Sequence, residues 1–128
     1  MTNRDIYNAA SRLSGEMTSD NPDYSARTMS LLAIVFDECA PLDSAYRIAN
    51  ELAPRSWPVS ASISLDATFP LCDIFWAPAA YGLAALLTTS ENPDLSRSFE
   101  QHFFALMKQI QNDLPAKPEP IVDAYHLL

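Results

Sequence analysis

Apolar residues recur at helical spacing in successive stretches of the chain. In the first, Ile6, Ala9, Ala10 and Leu13 form one stripe. Thr2 and Asp5 open it as a capping box, and Gly15 stands where a C-terminal glycine stops a helix. A polar stretch, "EMTSDNPDYSAR", closes on Asn21-Pro22, an N-cap followed by a first-turn proline. From Asp23 the period returns through Leu31, Leu32, Val35, Phe36 and Cys39. Pro41 is expected to break or kink this helix, because its ring removes an N–H and crowds the preceding turn. "LDSAYRIANEL" resumes it, with Leu42, Ala45, Tyr46 and Ala49 on one face.

Residues 53–70, "APRSWPVSASISLDATFP", hold three prolines and four serines and read as a long middle loop, with "ISL" able to supply a brief extended segment. So long a connection is unusual in a compact domain unless it packs against something or forms an interface, and Trp57 favours such packing. In "FPLCDIFWAPAAYGLAALL", either Asp73 caps a helix near Ile74 or a short turn leads to one at Pro78. The reading adopted is a central helix from Pro78 to Thr89. Ala79, Ala80, Leu83, Ala84 and Leu87, with Tyr81 and Leu86 beside them, make it apolar nearly all round, so it must be buried nearly all round. Gly82 either admits a close neighbour or only weakens the helix.

Asn92, Pro93 and Asp94 then open a last helix, whose face is Leu95, Phe99, Phe103, Leu106, Ile110 and Leu114, and Pro115 ends it. Residues 115–128 are too rich in proline for a long helix yet carry Ile121, Val122, Tyr125, Leu127 and Leu128. They read as an extended arm that docks. The expected fold is therefore all-α: one compact domain, 1–128, of four to five helices with a middle loop and a C-terminal arm. Its candidate interface residues are Trp57 and the five apolar residues of the arm.

Charge narrows the partners. Sixteen acidic and eight basic residues leave a formal charge of −8, and the basic residues lie singly from Arg4 to Lys117. Nucleic-acid binding and docking on an anionic membrane both need a basic cluster, so neither is expected. The charge-free run from Ile74 to Leu87 has fourteen residues, against the roughly 20 that a bilayer requires. "MTNRDIYNAASRLSG" lacks the unbroken apolar core of a signal peptide. Cys39 and Cys72 read as buried free thiols, which points to a reducing interior or a particle assembled there.

No catalytic, cofactor or metal site is expected. His102 falls beside the packing face of the last helix and His126 in the arm, without metal-ligand spacing to other residues. Asp37 and Glu38 are adjacent in sequence, so they diverge around a helix and would raise the Cys39 pKa rather than activate it. Asp43 and Arg47 read as an ordinary i,i+4 support pair. Two glycines in the chain leave no phosphate-binding loop.

The segment "FPLCDIFWAPAAYGLAALLTTSENPDLSRSFEQHF" resembles the second half of the head–tail connector, or adaptor, proteins of tailed bacteriophages and prophages. The resemblance lies in Phe69, Pro70, Leu71 and Asp73, then Phe75 or Trp76 with Pro78. It continues through Tyr81, Leu83, Ala84 and Leu87 to Glu91, Asn92 and Pro93. "NPDYSAR" and "ECAPLDSAYR" extend it into the first half, so that it runs from about Ile6 to Tyr125. It implies a non-enzymatic structural protein that joins a ring beneath the portal, with tail-completion proteins adding below. It also implies a virion location, reached by assembly in the bacterial cytoplasm, and a homo-oligomer formed on assembly. The residue pattern also admits a small acidic helical regulator or inhibitor that binds another protein.

Overall fold

A computed structural model describes residues 2–15, 22–54, 64–89 and 91–114, and the side chains of its second helix from residue 27 onward. Among the described residues four α-helices follow one another: α1 (Asn3–Ser14), α2 (Pro22–Ala49), α3 (Trp76–Thr88) and α4 (Pro93–Asp113). The fold is all-α, and among the described residues the only sheet-like feature is an isolated bridge between Thr2 and Thr68. The expected C-terminal arm, residues 115–128, lies outside the described residues, as do residues 55–63 of the middle loop.

α3 is the axis of the bundle and packs against the other three helices. Its sequence dictates this position: Ala79, Ala80, Leu83, Ala84 and Leu87 are all buried, and only large partners on several sides can cover such a helix. Those partners include Ile6, Tyr7 and Ala10 of α1, Leu32, Val35 and Phe36 of α2, and Phe99, Phe103 and Ile110 of α4. Gly82 decides how near they come. A Cβ built there would stand 3.1 Å from a Phe103 ring carbon and 3.2 Å from a Val35 methyl, closer than side chains ordinarily pack. The glycine is thus a packing requirement where α2, α3 and α4 converge.

The start of α3 corrects both sequence alternatives: Asp73 does not cap the helix, and the short turn leads to a start at Trp76 rather than at Pro78. A 3-10 turn, Asp73–Phe75, leads into the helix, and Pro78 sits within the first turn, where its missing N–H would have had no helical acceptor. At the other end the Thr88 and Thr89 hydroxyls donate to the Ala84 and Ala85 carbonyls at 2.8 Å each, and Ser96 Oγ adds a bond to Ala85 at 2.7 Å. These bonds fasten the short connection to α4. Asn92 caps α4 as its spacing predicts, its side-chain oxygen accepting from Leu95 N–H at 3.1 Å.

Two helical expectations need correction. α2 runs through Pro41 without a break. Pro41 cannot bond the carbonyl of Asp37, but both residues are exposed, so water can serve that carbonyl and the core face of the helix stays intact. In α1 the buried face is wider than the stripe suggests. Asn3, Tyr7 and Ser11 are buried beside Ile6 and Ala10, while Leu13 is 36% exposed.

Asn3 is inside because the end of the middle loop crosses the N-terminus of α1. The Asn3 and Arg4 N–H groups, which have no acceptor within the helix, donate to the Ala67 and Leu65 carbonyls at 2.9 and 2.7 Å. The Asn3 side chain donates to Ser64 O at 2.8 Å. Leu65, Phe69 and Leu71 then insert into the core, with the Phe69 ring edge-on to Phe36 at 5.7 Å. The described end of the loop is therefore a packed wall of the domain.

Candidate interaction surface

The C-terminal end of α2 is organised by one buried ion pair. Arg47 Nε donates to Asp43 Oδ2 at 2.9 Å, and the Asp43 side chain is completely buried. Asp43 Oδ1 accepts from Cys72 N–H at 2.9 Å, while the Arg47 fork donates to Ala53 O at 3.0 Å and Pro70 O at 3.2 Å. This pair is more than the i,i+4 support expected from its spacing. It holds residues on both sides of the middle loop against the helix and gives buried charges the hydrogen bonds they require. Next to it α2 ends in a hydrogen-bonded reversal, with Leu52 N–H on Arg47 O at 2.8 Å and Glu51 N–H on Ile48 O at 3.2 Å. Glu51 has a φ of +56°, a conformation that glycine usually occupies.

With this end fixed, α2 presents a second apolar face to the outside. Ile34 is 47% and Ile48 79% exposed, and exposed Pro41 lies midway between them. Their seven-residue spacing keeps the three within roughly 40° of one line along the helix, whereas the buried face is centred roughly 180° around it. Half-buried Ala45 joins this ridge, and exposed Asp37 and Glu38 interrupt it on either side.

Beside the ridge, α2 and α4 diverge around a groove of ≈ 520 Å³. Leu42 and Ala45 line it from α2, and Phe104 and Met107 from α4, with exposed Glu38 and Lys108 also in its lining. Phe104 is 55% exposed although the adjacent Phe103 is buried. A smaller hollow of ≈ 310 Å³ between α1 and α3 is lined by Leu13, Trp76 and Tyr81 together with Arg12.

The candidate interface residues read from the sequence, Trp57, Ile121, Val122, Tyr125, Leu127 and Leu128, all lie outside the described residues. The α2 ridge and Phe104 were missed. The signal of the ridge was present as the 34, 41, 48 repeat, but α2 is apolar on two sides and the stronger core stripe conceals the weaker outer one.

His102 is exposed and stacks on Tyr81 at 4.8 Å, and among the described residues no three His, Cys, Asp or Glu side chains gather as metal ligands. Both cysteines are free, Cys39 buried and Cys72 only half-buried, which corrects the expectation that both are buried. Burial, reinforced by Glu38 and Asp43, pushes the Cys39 thiol up to about 12. The Cys72 thiol is also raised, first by burial and then by its hydrogen bond to Asp43. Neither environment favours a thiolate nucleophile. Among the described residues no helix is long and apolar enough to cross a membrane. No family model, curated protein or solved structure matches the chain.

Proposed function

We propose that this chain is a non-enzymatic assembly subunit, a head–tail connector of a tailed phage or prophage that joins the portal as part of a ring. The observation that carries the reading is the outward apolar ridge of α2, formed by Ile34, Pro41 and Ile48 opposite the core face. Aligned apolar residues on a solvent face mark a contact surface more often than isolated ones do. A ring also needs each subunit to offer two different faces, and the hollow between α1 and α3 is a separate surface for the second.

The residues that carry the resemblance support an architecture rather than a chemistry. Asn92 is a cap, Pro78 lies in a first turn, and Phe69, Leu71, Phe75, Leu83 and Leu87 are core. The net charge of −8 suits a wall beside passing DNA, which a negative surface does not retain.

The test is sedimentation of the purified protein alone and mixed with the portal protein of the same phage or prophage. Co-sedimentation with the portal is expected, and Ile48→Asp should abolish it while leaving the melting temperature unchanged. A wild-type chain that stays monomeric and never joins the portal overturns the proposal. A pull-down that returns a single host enzyme or repressor would favour the regulator instead.

A further inference from the structure

The hollow between α1 and α3 and the outer ridge of α2 are complementary in charge and alike in scale. Buried Ala9 and Ala80 give the hollow a lining of small side chains, and Leu13, Trp76 and Tyr81 stand around it, larger and more exposed. Arg12 is also in the lining and exposed. Among the described residues its guanidinium makes no ion pair, whereas Arg4, Arg47 and Arg97 each meet an aspartate. A second hollow of ≈ 360 Å³ shares Arg12 and Trp76 with the first and carries the depression along α1 to Asp5. From Asp5 to Leu13 the helix rises about 12 Å.

The ridge runs about 21 Å from Ile34 to Ile48, so the depression accepts only half of it at a time. The half from Ile34 to Pro41, about 10 Å long, is the one whose charge fits. Exposed Asp37 and Glu38 lie between its ends, and among the described residues neither carboxylate has an ion-pair partner. Between Leu42 and Ile48 the one carboxylate, Asp43, is buried and already bonded to Arg47. An apolar hollow beside an arginine that lacks a counter-ion thus matches an apolar ridge beside two such carboxylates. Two copies of a chain of charge −8 repel each other, but at physiological ionic strength that repulsion is screened beyond about 8 Å, and the local contacts decide.

We infer that the Ile34–Pro41 half of α2 in one copy seats in the α1/α3 hollow of a second copy, with Asp37 and Glu38 toward Arg12. The two faces differ, so a pair of copies still offers one free ridge and one free hollow. The contact therefore repeats head to tail, closing a ring or growing a filament. Ile48 stays outside it and remains open to another partner. This inference rests on the reading of the α2 ridge as an assembly surface, and it names what one half of that ridge meets.

Sedimentation of the full chain and of two variants altered at exposed positions tests it. Ile34→Asp spoils the ridge and Arg12→Glu the hollow. The wild-type mass should grow with concentration past the dimer, while each variant alone stays folded and monomeric. Mixed in equal amounts, the two variants should form a 1:1 dimer that grows no further, because one keeps a sound hollow and the other a sound ridge. If Ile34→Asp does not fold, Asp37→Lys with Glu38→Lys takes its place as the ridge variant. A wild-type chain that stays monomeric up to about 1 mM overturns the inference. So does a mixture that stays monomeric, which denies the pairing of ridge with hollow, and so does a variant that associates as the wild type does. Portal binding by a chain that does not self-associate sinks this inference alone, whereas self-association of a chain that never joins the portal sinks the connector reading alone.

Discussion

Arg47 and Asp43 lie one helical turn apart in α2, meet at 2.9 Å, and together bind the backbone at Ala53, Pro70 and Cys72. Removing the guanidinium takes from a fully buried carboxylate the ion pair it makes at 2.9 Å. Arg47→Ala should therefore cost about 3–5 kcal/mol, measured by urea unfolding. Arg47→Lys should recover only part of this, because an ammonium cannot reproduce the planar fork that reaches Asp43, Ala53 and Pro70 together. A loss below about 1 kcal/mol for Arg47→Ala would put the pair among ordinary surface bridges.

Glu51 holds a left-handed conformation at the end of α2. Glycine adopts that conformation without a Cβ clash, so Glu51→Gly should stabilise the protein by about 0.5–1 kcal/mol, net of the greater freedom glycine gives the unfolded chain. Glu51→Val should destabilise it, since a β-branched side chain tolerates positive φ poorly. Urea midpoints that move in the opposite order would show that the Glu51 side chain contributes more than its backbone strain costs.

At Gly82 two effects oppose each other. Gly82→Ala gains about 1 kcal/mol of helix propensity but must push Phe103 or Val35 aside, at a cost of about the same size. Its thermal midpoint should stay near that of the wild type. Gly82→Leu adds further carbons to the same convergence and should prevent cooperative unfolding. A stably folded Gly82→Leu protein would show that α3 and α4 can separate at little cost.

Cys39 sets an alkaline limit. Its folded-state pKa of about 12 stands above an ordinary value of 9.0, so below pH 9 both folded and unfolded chains hold the proton. Between pH 9 and 12 the unfolded chain releases a proton that the folded chain keeps, and stability falls by up to about 1.4 kcal/mol per pH unit. Cys39→Ala should lose this part of the pH dependence, the remainder belonging to other groups. In the native wild-type protein a thiol reagent should modify Cys72 first and reach Cys39 only on unfolding.

The local punctuation of the fold was legible because each signal is a short-range steric or hydrogen-bonding preference. Gly15 closes α1 with a φ of +76°, and Asn92 and Pro93 open α4. Periodicity likewise identified α3 as the buried axis. Phe99, Phe103 and Ile110 mark the buried side of α4, with Leu95, Leu106 and Leu114 at its margin. The seven-residue spacing of Ile34, Pro41 and Ile48 was also on the page, but spacing alone cannot say which of two apolar stripes meets the core.

Composition and periodicity, then, determined an all-α chain with its caps and its buried central helix. Only the tertiary structure decided that Asp43 and Arg47 are a buried hub, that the middle loop returns over α1 at Ala67, and that Phe104 faces a groove while Phe103 fills the core. The reason is distance along the chain. Caps and stripes are set by residues within a turn or two, whereas desolvation of a carboxylate or exposure of a ring depends on segments tens of residues away, which only packing brings together.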